Sequence, residues 1–156
     1  MNKYFWWLFL WCILGISCSD EVVVHMVSVD NSWKKNEAKN LEFEIKDAQN
    51  PKNIIFVVRN NNEYPYSNLF LIASLKNAKN EVLKTDTLQY VLAKPNGEWL
   101  GKGWGSVKEI LLQYKTNYQF PFQGKYHLEV KHGMRRDTLR GIEDIGIKIE
   151  SLSDEK

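Results

Sequence analysis

Cysteine is almost missing from this chain: its 156 residues hold two, Cys12 and Cys18. Cys12 sits in an N-terminal segment that reads as cleaved, which leaves one thiol and no intramolecular disulfide. An excess of charge is lacking as well. Lys and Arg number 21 against 19 Asp and Glu, a formal net charge of +2 with no basic stripe, so no nucleic-acid partner is expected. After Ile16 no apolar run approaches the about 20 residues of a membrane-spanning helix. Familiar catalytic signatures are absent: there is no Gly-x-Ser-x-Gly, no His-Glu-x-x-His and no Gly-x-x-x-x-Gly-Lys. Gly101, Gly103 and Gly105 alternate, unlike a dinucleotide fingerprint, and no βαβ unit follows them. His25, His127 and His132 form no close pair at ligand spacing; all three read as solvated, and no metal site is expected. Carboxylates such as Glu42, Glu44, Asp47, Glu63, Asp86 and Glu98 are plentiful, but nothing selects a catalytic pair. A non-enzymatic protein without cofactor or small-molecule substrate is the expectation.

What is present begins at the N-terminus. Met1-Asn2-Lys3 carries one positive charge, and Tyr4 to Ile16 then runs without a charged or amide side chain. That run is too short to span a bilayer and has the form of a secretory signal. Gly15-Ile16-Ser17 leads directly into Cys18, which resembles a lipobox. In such a signal the cysteine thiol takes a diacylglycerol and the preceding residues are removed. The expected division is a signal peptide over 1–17, an acylated tether over 18–21, one domain over 22–150 and a frayed tail over 151–156. An ordinary cleaved signal with a coincidental cysteine is the alternative. Each buried methylene contributes about 0.8 kcal/mol, so two or three acyl chains on Cys18 make a lasting membrane anchor.

From Val22 onward short β-type runs alternate with Asn-, Gly- and Lys-rich turns. Leu41-Glu42-Phe43-Glu44-Ile45, Tyr126-His127-Leu128-Glu129-Val130 and Ile145-Gly146-Ile147-Lys148-Ile149 each place their apolar residues on one face. Ile54 to Val58 and Leu69 to Ile72 are continuously apolar, as suits central strands covered on both faces. Lys76 to Glu81 reads as a hairpin loop. Residues 107–114 admit two readings: Ser106-Val107-Lys108-Glu109 has the form of a helix capping box, whereas the β-rich surroundings favour a strand. The whole implies an all-β protein, an antiparallel two-sheet β-sandwich of seven or eight strands.

Two loops carry candidate binding side chains. One runs from Arg59 to Asn68 and holds Tyr64-Pro65-Tyr66; the other, Lys94 to Gly105, holds Trp99 and Trp104 among turn residues. Exposed, Trp99 and Trp104 would form a stacking platform for a sugar or a hot spot for a protein; folded back, these two would plug the end of the sandwich. Arg135, after Gly133-Met134, reads as a solvated turn residue, with an ion pair to Asp144 or Asp86 as the alternative. Tyr64, Tyr66, Trp99, Trp104 and Arg135 together are the candidate interaction surface, and Cys18 is the lipidation site.

Five stretches in order, YPYSNLFLI (Tyr64 to Ile72), DTLQY (Asp86 to Tyr90), PNGEWLGKGWGSVKE (Pro95 to Glu109), FQGKYHLEVKHGMR (Phe122 to Arg135) and LRGIEDIGIKIE (Leu139 to Glu150), together with the signal, resemble the gliding-motility lipoprotein GldH family of Bacteroidota. The resemblance implies a lipid-anchored component of the gliding machinery, linked to type IX secretion, whose partners are other gliding or secretion proteins of the envelope. It supplies no catalytic residue. A glycan-binding surface lipoprotein is the competing expectation. Ser19 beside the cysteine is similar to an outer-membrane sorting signal, and the acids Asp20 and Glu21 resemble a surface-export tag. Outer-membrane attachment is therefore expected, with the periplasmic or cell-surface face left open.

Overall fold

The computed structural model describes residues 23–151; the expected signal, Cys18 with its tether, and residues 152–156 of the expected tail lie outside them. Ten strands follow in order: β1 (Val23–Ser28), β2 (Trp33–Lys34), β3 (Lys39–Ile45), β4 (Lys52–Asn60), β5 (Asn68–Asn77), β6 (Val82–Val91), β7 (Lys108–Tyr118), β8 (Gly124–His132), β9 (Thr138–Leu139) and β10 (Ile142–Ser151). All pairings are antiparallel. One sheet has the order β1-β10-β4-β7, the other β3-β8-β5-β6, and β2 with β9 makes a small third pair. The expected two-sheet β-sandwich is what forms, and β10 takes in Ser151, one residue past the expected domain end.

Period-two patterning produces the core directly. Leu41, Phe43 and Ile45 on β3 are buried while Glu42 and Glu44 face water. Tyr126, Leu128 and Val130 on β8 and Ile145, Ile147 and Ile149 on β10 do the same, so the two sheets close on one continuous apolar cluster. On β4 even the outward residues Ile55 and Val57 are buried, as the unbroken apolar run implied. Gly146 lies opposite Val57 on β10, and Met26 Sδ fills the space that a side chain at Gly146 would need. The other continuous run behaves differently. Leu69 and Leu71 point inward, but Phe70 is only half-buried and Ile72 is 37% exposed, so β5 is covered on one face rather than two.

Of residues 107–114, all from Lys108 onward resolve as strand. Lys108 to Tyr118 pairs along β4, and Leu112 and Tyr114 alternate into the core while Leu111 and Gln113 face out. At the sandwich edge Tyr114 and Lys115 reach across to Asp86 on β6 and link the two sheets. The Tyr114 hydroxyl donates to Asp86 Oδ2 over 3.0 Å and Lys115 Nζ over 2.7 Å. Burial works to raise the Asp86 carboxyl, but hydrogen bonds from Lys115 and Tyr114 outweigh it and hold the group below the usual range.

Alternation of direction sorts the connections into two ends. At one end lie the start of β1, the β3–β4 loop over 46–51, the β5–β6 hairpin and the β7–β8 connection over 119–123. At the opposite end lie the loops 61–67, 92–107 and 133–137. The candidate interaction residues all fall at this second end.

Candidate interaction surface

Tyr64 is the residue on which the far end is built. Its hydroxyl donates to the Asn68 carbonyl over 2.7 Å, and Tyr64 N–H donates to the Asn61 carbonyl over 3.3 Å. Behind it stands Gly141, at φ 86°, where any side chain would run into the Tyr64 backbone. That contact needs glycine for both its backbone region and its lack of a Cβ. Tyr64 is only 3% exposed, and burial pushes its hydroxyl pKa up. The sequence placed Tyr64 on the interaction surface; the structure makes it core, with its backbone against Gly141 and its ring covered by Tyr66 and Trp99.

Around Tyr64 the other rings are layered. Tyr66 meets it edge-on at 5.7 Å between centroids, and Trp99 lies tilted against it at 6.2 Å. Tyr66 and Trp99 are both half-buried and pack against the core. The Trp99 backbone is fixed too: it bridges Ala93, Leu100 N–H donates to the Leu92 carbonyl and Lys94 N–H to the Glu98 carbonyl, each over 2.8 Å. Trp99 therefore plugs the end of the sandwich.

Trp104 is placed otherwise. It is 99% exposed and stands at the tip of the second loop. The tip is nonetheless ordered. Lys102 and Glu109 exchange backbone hydrogen bonds of 2.8 Å, Lys108 Nζ donates to the Gly103 and Gly105 carbonyls over 2.9 and 3.0 Å, and Gly105 takes φ 68°. The turn fixes the backbone beneath an indole that has no packing of its own, so binding there would order one side chain at about 0.5–1.5 kcal/mol and no loop.

Arg135 lies on the other side of Tyr66. Both Arg135 and Arg136 are exposed and rim an open cleft of about 600 Å³ whose other walls include Tyr66, Phe70 and Met134. The ion pair considered for Arg135 does not form. Asp144 takes Arg59 at 3.7 Å, and Asp86 takes Lys115 and Lys84, so neither carboxylate reaches the arginine. An apolar floor of Phe70 and buried Met134 beneath two guanidinium groups suits a partner that brings an apolar side chain and a carboxylate together. Cys18 lies outside the described residues.

Two buried groups escaped the sequence. Trp33 is wholly buried; its Nε1–H donates to the Glu37 carbonyl over 2.8 Å and its ring meets His132 edge-on at 5.5 Å. His132 was expected to be solvated and is 1% exposed, with Nε2 3.1 Å from the Trp33 carbonyl. Desolvation lowers its pKa despite that bond. Its burial was legible, since His132 continues the inward phase of Tyr126, Leu128 and Val130. No such signal existed for Trp33, whose strand is two residues long.

Comparison with known proteins gives one family. The model of the GldH lipoprotein family matches residues 21–149. A protein of Christiangramia forsetii named gliding motility lipoprotein GldH homolog is 40% identical over 145 residues, 88% of this chain and 89% of that protein. The gliding motility lipoprotein GldH of Flavobacterium johnsoniae is 34% identical over 151 residues, 92% of this chain and 93% of the other. Among solved structures, the infectious bursal disease virus VP2 subviral particle aligns at a TM-score of 0.40 and 13% identity, over 85% of this chain and 34% of that one. A likeness that loose carries no functional argument.

Proposed function

The chain belongs to the GldH lipoprotein family, and we propose that it works in gliding motility as a lipid-anchored, non-enzymatic component acting through protein contacts. Its membrane attachment is the acylated Cys18, on the outer membrane, and its role extends to type IX secretion. The observation that carries this reading is the match along almost the whole domain to relatives named for gliding motility. The far end of the sandwich supports the mode of action. It offers a free indole at Trp104 and an arginine-rimmed cleft beside Tyr66, features of a protein-binding surface.

A glycan platform fits these residues less well. Of the four rings that could stack on sugars, Tyr64 is buried, Tyr66 and Trp99 are half-buried against it, and Trp104 does not line the cleft.

Deletion of the gene in a gliding host, with restoration by either the native chain or Cys18→Ala, tests the proposal. Deletion should abolish single-cell movement on glass and reduce type IX secreted proteins in the medium. The native chain should restore both. Cys18→Ala should restore neither, because an untethered domain loses its high local concentration at the membrane. Normal gliding and secretion in the clean deletion would refute the motility role, and incorporation of labelled fatty acid into Cys18→Ala would refute the anchor.

A further inference from the structure

We infer that the sandwich stands end-on upon the bilayer that holds its acyl chains, with Phe122 inserted among the lipids and the Trp104–Arg135 end pointing away. The inference rests on acylation at Cys18 as proposed above and adds the orientation and a second contact with lipid.

Chain length sets the first constraint. Val23 opens β1, and only five peptide steps separate it from Cys18. Fully extended, five residues reach about 17 Å at most. Val23 pairs with Ile149, whereas the same end of the sheet continues two residues further to Ser151 and Lys52, and then into the loops over 46–51 and 119–123. The loops therefore take up much of the tether's reach, and this end is pressed close to the headgroups.

Phe122 supplies the second observation. It lies in the β7–β8 connection at this end and is 73% exposed, between Pro121 and Gln123, which are also exposed. Its exposure is built, not incidental. The Tyr126 hydroxyl donates to the Phe122 carbonyl over 2.7 Å and accepts from its N–H over 3.3 Å, so a buried tyrosine fixes the backbone that holds the ring out. Phe120, two residues earlier, turns inward and packs on Tyr118, Phe43 and Tyr126. Val82 and Leu83 of the neighbouring hairpin are exposed beside the same end.

Charge does not compete with this contact. Lys46, Lys52, Lys79, Lys84 and Lys125 stand with Glu44, Asp47 and Glu81 at this end, so its small positive excess faces the headgroup phosphates while the apolar ring and the short tether define the pose. A ring so placed enters the boundary of headgroups and acyl chains, about 5–10 Å deep. The opposite end then stands roughly 30–35 Å away, the length of β7 at about 3.3 Å per residue.

Depth-dependent quenching tests the pose on the full acylated chain. Acylation leaves Cys18 as a thioether, so Gln123→Cys, Leu111→Cys and Trp104→Cys each give a single reactive thiol for an environment-sensitive dye. The labelled proteins are reconstituted in phosphatidylcholine vesicles with a nitroxide partway along the acyl chain. The dye at position 123 should shift to the blue and be quenched several-fold, while dyes at 104 and 111 stay in water. Adding Phe122→Ser to Gln123→Cys should remove most of the quenching, although the protein still floats with the vesicles. Quenching at 111 above that at 123 would mean that the sandwich lies on the outer face of its first sheet, and the inference fails. Flotation with no quenching at any position also overturns it while leaving the anchor intact. A chain that does not float overturns the anchor and the orientation together.

Discussion

Replacing Trp99 and Trp104 one at a time separates the two halves of the far end. Trp99 keeps at most about a third of its surface in water, so Trp99→Ala exposes or empties about two thirds of a tryptophan's surface or more. Two thirds of roughly 200 Å² at about 25 cal/mol per Å² is about 3.3 kcal/mol. Loss of the ring contact with Tyr64 at 6.2 Å adds about 0.5–1 kcal/mol. Trp104 is 99% exposed and packs on nothing, so Trp104→Ala should fall within about 0.5 kcal/mol of the native chain. In thermal melts of the soluble chain beginning at Ser19, Trp99→Ala should melt roughly 10 °C lower, and Trp104→Ala should be indistinguishable. Gliding of cells carrying the full-length variants is the second readout. Trp104→Ala should impair movement at normal protein levels, whereas any defect of Trp99→Ala should track its lost stability. Equal destabilisation by the two changes would refute the layering of the far end. A Trp104→Ala strain that glides normally would remove the indole from the interaction surface.

Three further outcomes test the frame behind that end. Gly141→Ala should cost more than about 2 kcal/mol in urea melts, since the added methyl meets the Tyr64 backbone and φ 86° disfavours any side chain. Asp86→Ala should cost about 1–3 kcal/mol by leaving Lys115 and Tyr114 without their shared partner at the sheet edge; an unchanged urea midpoint would show that the link is idle. His132 is held neutral, so the unfolded chain binds a proton that the folded chain refuses. Stability should be full above the unfolded pKa of about 6.5 and decline as pH falls below it, and melts of His132→Phe should flatten that decline between neutrality and pH 5.

The sandwich was legible because its strands repeat a rule that needs no tertiary information. Leu41-Glu42-Phe43-Glu44-Ile45 alternates, and a strand buried on one face must alternate. Where the rule gives no information the reading was incomplete. A continuous run such as Leu69 to Ile72 states that both faces tolerate apolar residues, but whether a second layer covers them depends on what lies across the sheet. On β4 Val57 lies beside Gly146, over which Met26 packs, and is 4% exposed, whereas Ile72 on β5 is 37% exposed. Val107, Ile110, Leu111 and Tyr114 fall at helical spacing, but the adjacent pair Leu111 and Leu112 splits between the two faces of a strand. One faces out and the other in, so a strand satisfies the pattern as well as a helix does.

The candidate surface was legible as loops and not as depths. Tyr64 and Tyr66 flank one proline, yet one ring is sealed behind Gly141 and the other walls a cleft. A turn has no period from which to read that difference. The same limit applied to Arg135, whose possible partners were committed elsewhere by the register of β6, β7 and β10. What the sequence does contain is the direction of the chain. Each strand of the two main sheets reverses the one before it, so each connection between them belongs to the end set by its place in the chain order, and Cys18 lies five residues before the first strand. Tyr66, Trp104 and Arg135 therefore share, by connectivity, the end opposite the start of β1, whatever their burial. A tethered domain that acts by contact must display its binding loops away from its own membrane, or along its flanks. With the chain tethered at Cys18 as proposed, this topology puts the exposed indole and both arginines in the first of those arrangements.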